Sequence, residues 1–222
     1  MNSSTNAPHR VVAIDGPAAS GKSSVARALA RRLGVIYVNT GAMYRAATWL
    51  AVRRGVDLRD PAAIAALPLS RAMEYGVAEG KSTLRVEGED PEPHLTAPEV
   101  NAGVSLVAAV PAVRVELVAR QRDYLQRGDL VMEGRDIGSA VFPETPYKFY
   151  IDASPEVRAR RRAAQGFHDD LAARDRIDSS RAASPLLIAP GAQVIDSSEL
   201  TIEGVVDEIV SRLNQQRFFD DR

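Results

Sequence analysis

Cysteine is absent from this chain, which excludes disulfide frameworks, cysteine zinc sites and thiol catalysis. The three histidines (His9, His94, His168) stand too far apart for metal-ligand spacing and read as surface residues. No run approaches the roughly 18 apolar residues that a membrane span needs. Residues 1–8 are polar and hold no apolar signal core. With residue 9 they are expected to form a disordered tail. The formal net charge is only −1, so no global field draws the chain to nucleic acid or to an anionic membrane. Lysine is scarce as well. Only Lys22, Lys81 and Lys148 stand among 28 basic residues, so a lysine here is more informative than an arginine. What is present is ordinary for a globular chain: 222 residues, 45% of them hydrophobic and 26% charged. That length fits one large domain or two small ones.

Short apolar runs at 11–14, 35–38, 130–132, 148–151 and 193–196 read as buried strands. Helical spacing covers 23–33, 40–54, 61–67, 98–127, 155–165, 171–181 and 201–213, with Pro111 as a break. Trp49 falls on the second of these helices, where it is expected in the core. Residues 75–78 and 83–88 alternate like exposed antiparallel strands joined at Gly80-Lys81, within a β insertion spanning 68–97. Residues 166–170 read as a turn and 214–222 as a tail. Strands alternating with helices predict an α/β fold: a five-stranded parallel sheet with helices on both faces. The core then spans 10–67 and 98–213.

Gly16-Pro17-Ala18-Ala19-Ser20-Gly21-Lys22-Ser23 matches G-x-x-x-x-G-K-[ST], between an apolar strand and an amphipathic helix. Glycines at both ends let the backbone wrap closely around an anion. Successive N–H groups and the helix N-terminus then point at a phosphate. Lys22 adds a point charge on the β/γ oxygens, and the Ser23 hydroxyl ligates Mg²⁺. These eight residues and Ser24 form the expected ATP site. The guanine-reading Asn-Lys-x-Asp of GTPases is missing, which leaves small-acceptor kinases in the lead.

Such a kinase needs a second cationic site for its acceptor and a cover against water. Thr40 to Arg45 follows the second strand, with Thr40 placed to cap the helix. Glu133-Gly134-Arg135-Asp136 follows the third strand, where open α/β sheets bind ligands. Arg158, Arg160, Arg161 and Arg162 cluster on one helix and read as a lid, since arginines stabilise a transferring phosphoryl group. Residues 174–181 form a second charged run. Each of these, taken alone, equally fits a solvated surface.

Together the motifs closely resemble the bacterial cytidylate kinases, over residues 10–213. The resemblance is carried by Ile14-Asp15-Gly16-Pro17, Thr40-Gly41-Ala42-Met43-Tyr44-Arg45, Gly88-Glu89-Asp90, Ser105, residues 107–114 and Gln121-Arg122. It continues through Glu133-Gly134-Arg135-Asp136-Ile137-Gly138, Val141-Phe142-Pro143, residues 152–156 with Arg158, Arg161 and Arg162, Arg174-Asp175, Asp178, Arg181 and Pro185-Leu186. It implies a P-loop nucleoside-monophosphate kinase fold, with the β insertion as monophosphate-binding domain and a short lid over 156–174. Arg45, Arg135 and Arg181 would hold the CMP phosphate. Ser105, Arg114 and Asp136 would surround the cytosine. Arg174 and Asp178 would face the sugar, with Thr40 in support. Lys22, Arg135, Arg158 and Arg162 would be catalytic, the last two from the lid. The implied reaction passes the γ-phosphoryl group of ATP to CMP or dCMP, and more weakly to UMP, with Mg²⁺. A cytoplasmic monomer is expected, with no nucleic-acid or membrane partner. The chain departs from the family pattern at Asn39, often Asp, at Leu95-Thr96, often Ile-Arg, and in its shortened lid. A kinase for adenylate, shikimate or dephospho-coenzyme A is the alternative enzyme, and a nucleotide-binding switch without transfer is the alternative class.

Overall fold

A computed structural model describes residues 9–166, 171–181 and 184–220. The first half runs β1 (Val11–Asp15), α1 (Lys22–Leu33), β2 (Ile36–Asn39), α2 (Thr40–Arg53), α3 (Pro61–Ala65), α4 (Leu69–Ala72), β3 (Met73–Ala78) and β4 (Lys81–Val86). The second half runs α5 (Pro98–Ala109), α6 (Pro111–Asp123), β5 (Leu130–Gly134), β6 (Lys148–Asp152), α7 (Pro155–Ala164), α8 (Leu171–Ser180), β7 (Gln193–Asp196) and α9 (Ile202–Gln215).

The sheet order is β3-β4-β2-β5-β1-β6-β7. Strands β2, β5, β1, β6 and β7 pair in parallel, and β3 pairs with β4 antiparallel. The sheet therefore has seven strands rather than the five expected. The β insertion does not stand apart, because β4 adds to the edge of β2 in parallel at Tyr37–Lys81. An uncovered edge strand presents unpaired backbone groups. Here the Tyr37 N–H donates to the Gly80 carbonyl at 2.9 Å.

Side chains alternate across the strands and fix two cores. Val11 and Ala13 of β1 join Leu130 and Met132 of β5 on one face, packed by α2, α5 and α6. Val12, Ile14 and Val131 face the other side, against α1 and α9. Trp49 lies in the first core, as expected, and also stacks on His94, with ring centroids 4.6 Å apart.

Pro111 lacks an N–H and forces Val110 into extended backbone at ψ 120°. The chain bends there by 93°. Among the described residues no single helix is long and apolar enough to cross a membrane.

Two local expectations are corrected. Asn39 caps α2, its side chain accepting from the Ala42 N–H at 3.0 Å. Thr40 instead donates its hydroxyl to the Glu133 carbonyl at 2.8 Å, tying α2 to β5. The expected tail after residue 213 is packed. Phe218 is fully buried in the second core, edge-on to Tyr147 at 4.8 Å. Arg10 anchors it by donating to the carbonyls of Phe218 and Asp220. The expected N-terminal tail over residues 1–8, most of the turn at 166–170 and His168 lie outside the described residues.

Candidate active site

β1 ends in Asp15, and the chain enters the phosphate loop at Gly16. There φ is +153°, and a Cβ would lie 2.1 Å from the Ile151 carbonyl oxygen, so no side chain fits. Gly21 at φ +89° opens α1 without a side-chain cap, leaving the helix N–H groups to face the loop. Lys22 is buried, and its Nζ donates to the Pro17 carbonyl at 3.0 Å. The Ser23 hydroxyl donates to Glu133 Oε1 at 2.8 Å, and the Tyr37 hydroxyl to the same atom at 3.4 Å. Burial pushes the Tyr37 phenol up, so it stays a donor.

A cleft of about 330 Å³ runs from this loop to the start of α2, the end of β5 and the middle of α5. It is lined by Lys22, Ser23 and Ser24 on the loop side and by Thr40, Arg45, Ser105, Arg135, Asp136, Asp178 and Arg181 beyond it, with Arg162 above. Residues from six separate sequence stretches thus meet in one space. Arg135 Nε donates to Asp178 Oδ2 at 2.9 Å, and its Nη1 to the Gly16 carbonyl at 3.1 Å. Arg181 donates to the other oxygen of Asp178, which also accepts from Ser105 at 3.1 Å. Burial alone would raise the Asp178 pKa, but Arg135 and Arg181 overcome it and hold this carboxylate below its usual range. Ser105 thus lines the same cleft as Asp136 while bonded to Asp178. Arg114 is not among the residues that line the cleft. It is buried behind the cleft wall, donating to Asp136 Oδ2, with its guanidinium over the Tyr44 ring at 5.6 Å. Asp136 reaches the cleft and Arg114 supports it. The side chain of Arg174 lies outside the described residues.

Helix α7 rests on the phosphate loop. Arg158 donates to the Ala18 carbonyl at 3.2 Å and pairs with Asp175. Asp175 in turn accepts from the Ala18 N–H at 3.2 Å. Arg161 donates to the Ser20 carbonyl at 3.2 Å and to the Ser197 carbonyl at 2.7 Å. It borders a second hollow of about 370 Å³ on the far side of the loop, with Leu200, Ile202 and Val205. The sequence placed Arg161 in the arginine cluster and in the family resemblance but gave it no role in the site. Leu200 and Ile202 carried no signal there beyond being apolar residues at a helix start. Glu133 was visible as a charged residue at a strand end, but its place beside Ser23 follows only from β5 pairing with β1.

Asp15 sits under both loops. It is buried and accepts from the N–H groups of Ile137 and Gly138, each at 2.8 Å. Burial raises its pKa from 3.8 to about 7, against the lowering effect of those two hydrogen bonds. A carboxyl whose folded pKa exceeds its unfolded value favours folding below the unfolded pKa. That contribution is lost as pH rises through the folded pKa. Wild type is therefore expected to lose stability relative to Asp15→Asn between pH 4 and 7, by on the order of 4 kcal/mol. Urea unfolding of both proteins across that range checks it. A constant difference would contradict the assignment.

The sequence model described as "Cytidylate kinase" matches residues 12–215. The chain belongs to the cytidylate kinase family. It is 45% identical over 229 residues to the cytidylate kinase of Pelotomaculum thermopropionicum, covering 98% of this chain and 99% of that one. To the cytidylate kinase of Nocardia farcinica it is 46% identical over 218 residues, covering 93% and 94%. A gluconokinase from Sinorhizobium meliloti, 13% identical, superimposes with a TM-score of 0.50 over 97% of this chain and 98% of that one. At that identity the likeness concerns the fold alone.

Proposed function

We infer that the chain transfers the γ-phosphoryl group of ATP to CMP, giving CDP and ADP. The observation that carries this is the meeting of the phosphate loop with Asp136 and the Arg135–Asp178–Arg181 cluster in one cleft. The loop N–H groups and Lys22 take the donor phosphates. Arg161 and the apolar Leu200, Ile202 and Val205 beyond the loop offer a slot for adenine. Arg45, Arg135 and Arg181 draw the acceptor phosphate toward the loop. One of its oxygens attacks the γ-phosphorus as the bond to the β–γ bridging oxygen breaks, and ADP leaves. Arg158 and Arg162 approach from the lid, where their charge answers that spread over the transferring group. No protein nucleophile is needed.

The donor set suits Mg²⁺, which keeps several waters and takes few protein ligands. Among the described residues no cluster of three His, Cys, Asp or Glu could hold a metal. The Ser23 hydroxyl and the Glu133 carboxylate beside it are the groups to hold Mg²⁺ and its waters. Held by these residues, Mg²⁺ would supply positive charge to the donor phosphates. Glu133→Gln is expected to lower kcat about tenfold and to raise the Mg²⁺ concentration needed for half-maximal rate. Titration of activity with Mg²⁺ checks this, and an unchanged requirement would remove Glu133 from the site.

Deoxycytidylate is also an acceptor and UMP a weaker one. The test is ADP release with ATP, Mg²⁺ and a panel of monophosphates. CMP and dCMP should drive it, UMP less, and AMP not at all. Without acceptor, ADP release should be slow, because the cover excludes water. Equal release with and without CMP would mark an ATPase. ATP binding with no release at all would mark a nucleotide switch.

A further inference from the structure

We propose that Asn101 is a positioning residue that aims Arg45 at the acceptor phosphate and ties the lid to it. The inference rests on the reading of Arg45 as an acceptor-phosphate ligand.

Asn101 lies in the first turn of α5 and is only 8% exposed. It does not line the cleft, so it acts through its neighbours. Its Oδ1 accepts from Arg45 Nη1 at 2.6 Å and from Arg162 Nη2 at 3.3 Å. Its Nδ2 donates to the Thr96 carbonyl at 2.6 Å. Arg45 Nη1 also donates to the Leu95 carbonyl at 3.0 Å. One amide thus joins α2, the lid helix α7 and the segment that closes the β insertion.

The chemistry suits an amide and no other small side chain. Two like-charged guanidinium groups converge on one oxygen, which needs an acceptor. The opposite end must donate to a carbonyl. Asn supplies both, whereas a carboxylate only accepts. A neutral acceptor also holds the guanidiniums without cancelling the charge that a dianionic phosphate needs.

Loss of the amide should therefore weaken capture of the phosphate and leave the base and donor sites intact. Asn101→Ala is expected to raise KM for CMP about tenfold, with KM for ATP within about twofold. Asn101→Asp keeps both arginines but offsets one of their two charges and cannot donate to the Thr96 carbonyl, and should raise KM for CMP further, to about a hundredfold. Cytidine, which has no phosphate, serves as the control. Its inhibition constant should stay within about twofold in both variants. A merely structural role would disturb α5, which also carries Ser105, and would weaken cytidine and CMP alike. Equal weakening of the two, or an unchanged KM for CMP in both variants, would overturn the proposal. Arg45→Ala is run alongside and should weaken CMP but not cytidine. If it spares both, the reading of Arg45 fails instead. If wild type gives no CMP-dependent ADP, the kinase reading itself fails.

Discussion

Lys22→Ala should lower kcat by about 10²–10³-fold while the protein stays folded and still binds ATP weakly. The structure separates the two effects. The loop's path is set by Gly16, packed against the Ile151 carbonyl, and by Gly21 at the head of α1. Neither depends on the lysine side chain. Lys22 donates to the Pro17 carbonyl, within the loop that receives the phosphates. Its removal leaves the loop N–H groups in place and takes away a charge that the transition state needs most. Steady-state kinetics with a thermal melt on the same sample checks this. A kcat within tenfold of wild type would end the phosphate-loop assignment, provided that the melt is unchanged.

Replacing Asp136 should strike both base choice and stability. Cytosine offers an amine donor beside an acceptor nitrogen, and uracil reverses both. Burial raises the Asp136 pKa and Arg114 opposes that shift; an ionised carboxylate accepts only, so Asp136 in the proposed base-reading role would suit cytosine and oppose uracil. An unmatched buried polar group costs about 1–3 kcal/mol, enough for at least a tenfold preference for CMP. The Asp136–Arg114 pair has both side chains 5% exposed. Asp136→Ala strands the Arg114 charge and should destabilise the fold by about 3–5 kcal/mol. Asp136→Asn keeps the size and can either donate or accept, so it is the cleaner probe. Both variants should narrow the ratio of kcat/KM for CMP over UMP by about tenfold, Asn with the smaller fall in Tm. An equal loss on both substrates would assign Asp136 to holding the loop or the phosphate.

The features legible in the sequence were those written in periodicity and local motif. The run at 11–14, the glycine loop and the amphipathic helix after it were each set by nearest neighbours, and each appears as expected. Pro111 announced its own break. The attachment of β4 to β2 was not legible. Strand pairing is made by backbone groups that every residue carries, so side chains gave no sign of it. Asn39 and Thr40 are both competent caps, and the choice turned on the Glu133 carbonyl that Thr40 reaches. Phe218 lies past the last periodic residue, yet a Phe pair in a chain with five phenylalanines was a hint of burial. Within the site, residue types were readable and partnerships were not. The charge of Arg114 was visible in the sequence, and its burial against Asp136 was not. Arg161 was one arginine among several until the fold set it against the Ser20 carbonyl.

The loop proposed to receive the donor leaves β1, and the Glu133–Asp136 loop proposed to face the acceptor leaves β5. These strands are neighbours, with Ile14 opposite Glu133 and Asp15 opposite Gly134. Hydrogen-bonded strands lie about 4.8 Å apart. The gulf between giver and receiver is thus gauged by a single rung of the β ladder, among the stiffest rulers a polypeptide has. Motion of the helices around the cleft would leave that spacing unchanged. Warming or crowding the enzyme should alter how often the cleft shuts far more than how far the phosphorus must travel.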